Sequence, residues 1–271
     1  MPVTAKICGI NDPVAMQTAV SAGASHVGLV FYPPSPRYVT PADAARLAAL
    51  VPADIVRVGL FVDADDDAID AVLAQTPLDM LQLHGKETPE RVAALKARTG
   101  CKLMKVVSVA AEPDLARADA YTDVADWLLF DAKPPKDMAG ALPGGNALSF
   151  EWRLLAGREW PLPWMVAGGL DSGNVAEAVR LSGARTLDTS SGVEDSPGKK
   201  NPEKIRAFLA AVAALNAEHK RSKFWFRNHP SCINTGHIGA ERQWNSQTHF
   251  GAARTRAVIS VFSGDGSSPK P

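Results

Sequence analysis

Short apolar runs rich in β-branched residues recur through most of the chain. Each is followed by a segment that starts like a helix, and no other feature constrains the fold as tightly. The runs are TAKIC, HVGLVF, IVRVGLF, DMLQLHG, KLMKVVSV, DWLLFDA, PWMVAGG and RTLDTSSG. Helix starts stand between them. Asp12 is placed to cap DPVAMQTAVSAGA with Pro13 at the first helical position, and Thr88, Pro89 and Glu90 open TPERVAALKARTG in the same way. NPEKIRAFLAAVAALN closes the series, with Asn201 as cap and Ile205, Phe208, Leu209, Val212 and Leu215 at spacings of three and four. Strands that are apolar on both faces and alternate with helices belong to parallel sheets with crossover helices. Eight such units predict an α/β protein with a closed (β/α)8 TIM barrel over residues 1–216. An open doubly wound sheet is the alternative, but no GxGxxG follows the first strand.

Composition narrows the function classes. The 271 residues carry a formal net charge of zero, which opposes a general nucleic-acid binder. No apolar run reaches the roughly 20 residues of a membrane span, and the N-terminus lacks a signal peptide's basic start and long apolar core. The three cysteines, Cys8, Cys101 and Cys232, are unclustered. That opposes a disulfide framework or a zinc site and points to a reducing cytoplasm. Nothing marks a large apolar interface, so a monomer is expected.

Barrels of this class place chemistry at the C-terminal strand ends. Read in order, these ends supply Cys8, Arg37, Asp63, Gln82 with His84, Ser108, Asp131, Gly168 with Gly169, and Asp188 with Ser190, Ser191 and Gly192. Glycine pairs let backbone N–H groups approach an anion closely. Such turns end three consecutive strands: Gly144–Gly145 in LPGGNALSFEW, Gly168–Gly169 in VAGGLDSGN, and Ser191–Gly192 in DTSSGVE. Together they suggest a phosphate site. Cys8 and Asp131, on strands one and six, suit a base and an acid acting on one substrate. Taken alone, Cys8 suits a small buried apolar residue and Asp131 a loop cap. Arg37, held between prolines in PPSPRYV, suits bidentate capture of a carboxylate, although a lone Arg would be read as a solvated surface group. His84 and Asp188 are expected to pack or orient rather than react. No residue set calls for a metal.

The ordered motifs KICGI, GLVFYPPSPRYV, LQLHGKE, LLFDA, PGGN…FEW, VAGGLDSGNV and LDTSSGVEDSPGKKN resemble the phosphoribosylanthranilate isomerase family over roughly residues 3–215. The resemblance implies a (β/α)8 barrel without cofactor or metal. It also implies an Amadori rearrangement of N-(5-phosphoribosyl)anthranilate in tryptophan biosynthesis. On matching positions, it implies Asp131 as general acid, Cys8 as general base, and Arg37 on the anthranilate carboxylate. The Gly168–Gly169 and Ser191–Gly192 loops would hold phosphate. The pattern departs at Ala147, where the family often has Gly. The chemistry asks for a thiolate at Cys8, and cations or oriented amides lower a thiol from its free pKa of about 8.5. Other phosphosugar barrel enzymes, such as epimerases or the histidine-pathway isomerase, tend to pair two aspartates or bring metal ligands. A non-enzymatic phosphate-binding barrel would need no acid and base on opposed strands.

Residues 217–271 have no sustained period and read as a disordered, non-homologous tail. Lys223, Phe224, Trp225 and Phe226 do not match an RNA-stacking module, nor do His229, Cys232 and His237 match a metal site. Back-translated and read one nucleotide earlier, residues 248–271 allow NSFRSGPDARGHFGVFGGRFVAET, which resembles the start of a tryptophan synthase β chain. In that frame Gln243 and Trp244 can encode an initiating Met. The tail from about 243 onward is therefore expected to be a frame-shifted reading of a neighbouring gene.

Overall fold

The computed structural model of the chain describes residues 2–135, 142 and 144–228. The tail segment from about 243, together with His229, Cys232 and His237, lies outside the described residues.

Among the described residues, eight parallel strands pair in chain order, and the last returns to the first. They are β1 (Thr4–Cys8), β2 (His26–Val30), β3 (Val56–Phe61), β4 (Met80–Leu83), β5 (Lys102–Val109), β6 (Trp127–Ala132), β7 (Trp164–Val166) and β8 (Thr186–Thr189). This is the (β/α)8 barrel that the alternation predicts. Closure sets the register at the site: Lys6 stands opposite His26 on β2 and opposite Asp188 on β8.

Successive side chains point to opposite faces of a strand, which sorts the residues into two cores. Ile7, Leu29, Leu83, Phe130 and Leu187 join the outer core between strands and helices. Met80, Met104, Leu129 and Met165 fill the barrel itself. Above them Cys8, Val30 and Leu60 form a small apolar cluster near the mouth.

The helices start where their caps place them. Asp12 accepts from the Ala15 N–H at 2.9 Å ahead of α1 (Pro13–Ser21). α2 (Pro41–Ala48) and α3 (Asp66–Leu73) are capped by Thr40 and Asp65, and Thr88 caps α4 (Pro89–Thr99). α5 (Val175–Ser182) follows β7. Two crossovers differ from the alternation. Between β5 and β6 the chain forms a 3₁₀ helix, Glu112–Tyr121, and among the described residues β6 leads to a short 3₁₀ turn, Trp152–Leu155. The first has a physical reason. Its inward residues Leu115, Ala118 and Tyr121 are three apart, the repeat of a 3₁₀ turn and not of an α-helix.

The last helix, α6 (Pro202–Asn228), buries Ile205, Phe208, Leu209 and Val212 and packs on α1, α5 and β1. Asn201 accepts from the N–H groups of Glu203 and Lys204 at its start. Further along, Asn216 binds both backbone groups of Val3, at 2.7 and 2.8 Å, and ties the helix to the head of β1. Between β8 and α6 a small antiparallel hairpin, β9 (Glu194–Ser196) and β10 (Lys199–Lys200), lies beyond the barrel mouth. Among the described residues no helix is long and apolar enough to cross a membrane.

Candidate active site

One cavity opens at the C-terminal mouth of the barrel, and its walls include Cys8, Arg37, His84, Asp131, Gly168 and Asp188. Gly144, Gly145, Gly169 and Ser191 also line it. Gly192 does not; a Cβ there would collide with the Leu170 carbonyl, so this glycine serves the close approach of loop eight to loop seven. Asp63 stands off the walls, where its carboxylate accepts the Lys86 N–H and its own N–H donates to Glu87.

Cys8 ends β1 with its thiol on the inner face, as does Lys6 two residues before it. Lys6 is wholly buried and its ammonium donates to Asp188 Oδ1 at 2.9 Å. Gly28 on β2 makes the room for both. A Cβ there would stand 3.0 Å from Cys8 Sγ and 3.2 Å from Lys6 Nζ. Burial pulls Lys6 down, but Asp188 and Cys8 outweigh it, and the ammonium is pushed up to about 12. Burial raises the Asp188 carboxyl, against the pull of Lys6. At Cys8 the expectation of a lowered thiol is corrected. Burial is the larger effect and the thiol is raised, while Lys6 and, more weakly, Lys200 oppose it. A low-dielectric site penalises the thiolate more than one shared ammonium repays.

Asp131 ends β6 across the mouth. Its Oδ1 accepts the Ala132 N–H at 2.8 Å, and its Oδ2 lies 3.4 Å from His84 Nε2. His84 stands one residue past the end of β4, two after Gln82, and their side-chain nitrogens are 3.4 Å apart. Gln82 Oε1 and His84 Nε2 are buried without a hydrogen-bond partner among the described residues. Buried polar atoms of this kind want a partner. Both belong to residues of the cavity wall.

Arg37 is neither a solvated surface residue nor a free fork. It is 4% exposed. Its Nε and Nη2 each donate to Glu194 at 2.8 Å, and Nη2 also reaches the Gly145 carbonyl at 3.1 Å. The bidentate partner is thus Glu194 on β9, and among the described residues Nη1 makes no hydrogen bond. Lys200 on β10 donates to the same carboxylate at 2.7 Å. Burial pushes the Glu194 carboxyl up, but Arg37 and Lys200 hold it below the usual range. Burial lowers Lys200, against the pull of Glu194.

The glycine turns divide into two groups. Gly168 and Gly169 have φ of 90° and 65°, which admits glycine without strain. Among the described residues their N–H groups meet no backbone acceptor. With Ser191 they line the same cavity. Gly144 and Gly145 line the same cavity but have different neighbours. A Cβ at Gly144 would meet His84 Cε1 at 2.5 Å and Asp131 Oδ2 at 2.7 Å; one at Gly145 would meet Arg37 Nη1 at 2.5 Å. Their service is to let loop six close over the acid and the guanidinium. Ala147 in that loop sits at φ 56°, a left-handed conformation that costs a residue with a Cβ about 1 kcal/mol.

Sequence reasoning missed Lys6, Glu194 and Lys200. The signal for Lys6 was present: it shares a strand face with Cys8 in an otherwise apolar run. Glu194 and Lys200 had only the charged residues of GVEDSPGKK to mark them. Among the described residues no group of three His, Cys, Asp or Glu side chains is arranged to hold a metal ion.

This constellation can be set beside known proteins. The model of a family described as PRAI, N-(5'phosphoribosyl)anthranilate (PRA) isomerase, matches residues 5–211. The N-(5'-phosphoribosyl)anthranilate isomerase of Paramagnetospirillum magneticum is 59% identical over 212 residues, covering 78% of this chain and 98% of its own. That of Rhodospirillum centenum is 59% identical over 215 residues, 79% of this chain and 100% of its own. The crystal structure of phosphoribosyl anthranilate isomerase from Thermotoga maritima matches with a TM-score of 0.70 at 34% identity, covering 78% of this chain and 99% of that one. Another solved isomerase, in complex with reduced 1-(o-carboxyphenylamino)-1-deoxyribulose 5-phosphate, matches with a TM-score of 0.67 at 32% identity over 78% of this chain and 99% of its own. With a thiol and a carboxyl group facing one cavity, and with relatives of this likeness spanning the whole barrel, the chain belongs to the N-(5'-phosphoribosyl)anthranilate isomerase family.

Proposed function

We propose that the chain converts N-(5-phosphoribosyl)anthranilate into 1-(2-carboxyphenylamino)-1-deoxyribulose 5-phosphate, an Amadori rearrangement in tryptophan biosynthesis. The observation that carries this is the placement of Cys8 and Asp131 on the walls of one cavity, with a guanidinium and a glycine-lined turn on the same walls. A solved relative is described in complex with the reduced form of that product, which supports a phosphosugar ligand.

Asp131, as acid, protonates the furanose ring oxygen. The C1′–O bond breaks and the nitrogen lone pair forms a Schiff base. Cys8, as thiolate, then removes the C2′ proton, and the electron pair moves through C1′ to the nitrogen, giving an enolamine that tautomerises to the ketone. C2′ is oxidised and C1′ reduced within one molecule, so the balance requires no redox cofactor and no metal. Nη1 of Arg37 meets the anthranilate carboxylate. The backbone of Gly168, Gly169 and Ser191 receives the phosphate, with Gly192 seating loop eight behind it. His84 positions Asp131, and Asp188 positions Lys6.

We place the enzyme in the cytoplasm as a monomer. Support comes from the unclustered thiols and from the scatter of the large exposed apolar residues, Val14, Tyr38 and Leu50, among the described residues. The deciding experiment is turnover of freshly generated phosphoribosylanthranilate in the presence of a chelator. Binding without product would replace the isomerase reading with a phosphate-ligand-binding one.

A further inference from the structure

Three buried charges meet above the mouth: Arg37, Glu194 and Lys200. The guanidinium and the carboxylate engage through two parallel bonds and cancel. Lys200 adds the third charge and leaves the cluster at a net of one positive unit. Without it, an incoming carboxylate would meet a neutral pair with a buried carboxylate of like sign behind the guanidinium, in surroundings where charge is poorly solvated.

The hairpin that carries both residues is built to hold them. Lys200 pairs directly with Glu194 across β9 and β10. Lys200 also donates to the Ser190 carbonyl at 2.9 Å, and Lys204 of α6 donates to the Glu194 carbonyl at 2.6 Å. At the turn, Gly198 accepts from Asn11 at 2.9 Å, and a Cβ on Gly198 would collide with the Pro36 carbonyl. The turn therefore rests on the residue preceding Arg37. Loops one and two, strand end eight and α6 all fix one small hairpin whose inward charges touch one guanidinium.

We propose that the β9–β10 hairpin is the specificity element for the substrate's aromatic carboxylate: Glu194 sets the orientation of Arg37, and Lys200 supplies the charge that lets the pocket accept one anion. This rests on the assignment of Arg37 to that carboxylate.

The test uses Lys200→Met, Lys200→Arg and the double variant Lys200→Met/Glu194→Gln in the full chain. The readouts are steady-state turnover and competitive inhibition by anthranilate against its neutral amide, anthranilamide. In Lys200→Met the loss falls on KM rather than kcat, roughly 10- to 100-fold, and the preference for anthranilate over the amide disappears. Lys200→Arg restores both. The double variant returns the cluster to one positive unit, so it regains the preference for the anion, while the loss of the Glu194 carboxylate that orients Arg37 still shows as a raised KM. It carries the same net charge as the native cluster, so it also carries the test if Lys200→Met does not fold. Loss of preference in the folded double variant, or a change in kcat alone in Lys200→Met, overturns the proposal. Normal KM in Lys200→Met beside a raised KM in Arg37→Ala overturns the hairpin's role and leaves the carboxylate assignment standing. Normal KM in both variants removes that assignment and the proposal with it.

Discussion

Replacing Lys6 with Met should make the Cys8 thiolate scarcer without altering the fold. The size of the effect follows from the site. Sγ and Nζ lie 3.0 and 3.2 Å from the one point that a Gly28 Cβ would occupy, so they are no more than about 6 Å apart. At an effective dielectric near 20, opposite unit charges at that range attract by roughly 3 kcal/mol, equivalent to about a hundredfold in thiolate population at fixed pH. Asp188 reduces this. Once its partner at 2.9 Å is gone, its carboxyl, already raised by burial, takes up a proton and ceases to repel the thiolate. The expected loss therefore lies between about 10- and 100-fold. Thiolate absorbance measured against pH in a Cys101→Ser/Cys232→Ser background reads it directly, and the pH profile of kcat/KM should move in step. Asp188→Asn makes the opposite prediction, because it removes a repelling charge and keeps the ammonium. A folded Lys6→Met protein with an unchanged thiol titration would refute the reasoning and leave Lys6 as packing.

Cys8→Ala and Asp131→Asn should each lower kcat by about 10²- to 10⁴-fold while product-analogue binding persists; near-normal turnover in either removes that residue from the proton transfers. His26, buried at the barrel floor against Trp127, is lowered to about 4 by burial, with Lys6 and Lys102 adding to the effect. The unfolded chain thus binds a proton between pH 6.5 and 4 that the fold does not, and stability falls as pH drops through that window. Urea midpoints should show roughly 2 kcal/mol lost between pH 7 and 5 through this group, and His26→Leu should remove that share of the pH dependence; an equal slope in the variant refutes it. A chain ended just after residue 217 should melt and turn over like the full-length one, whereas one ended just before Asn216 loses both bonds to Val3 and should melt lower. Equal melting of the two would show that these bonds add nothing.

The sequence carried what depends on near neighbours and little of what depends on closure. Asp12, Thr88 and Asn201 cap helices because a cap needs only the next three residues. The strands followed from their apolar runs, and Cys8 and Asp131 from their places at strand ends. The pairs that tune the site join residues far apart in the chain: Lys6 with Asp188 across 182 positions, and Arg37 with Glu194 across 157. No local pattern can show that a carboxylate will already occupy the fork of Arg37. What the glycines of loop six stand against is hidden for the same reason. Only the folded loop reveals that Gly144 and Gly145 face an acid and a guanidinium.

On the proposed assignment of the site, the two ends of the cavity recognise anions by different means, and the difference sets the orientation of the substrate. Among the described residues Arg37 is the one Lys or Arg on the walls, and it stands beside loop six. The turn after β7 offers the neutral N–H groups of Gly168 and Gly169, with α5 beginning a few residues later. Converging amides suit a tetrahedral phosphate with several acceptor oxygens. A guanidinium backed by a fixed carboxylate and a second cation suits a single planar carboxylate. A molecule with one group at each end is accepted in one direction and refused in the other, because reversal would set the dianion against Glu194. In the proposed mechanism that direction sets the ribose carbons between the thiol of β1 and the carboxyl of β6, which line the same cavity. Selectivity for the two anions and the positioning of the two proton transfers are then consequences of the same arrangement of charge.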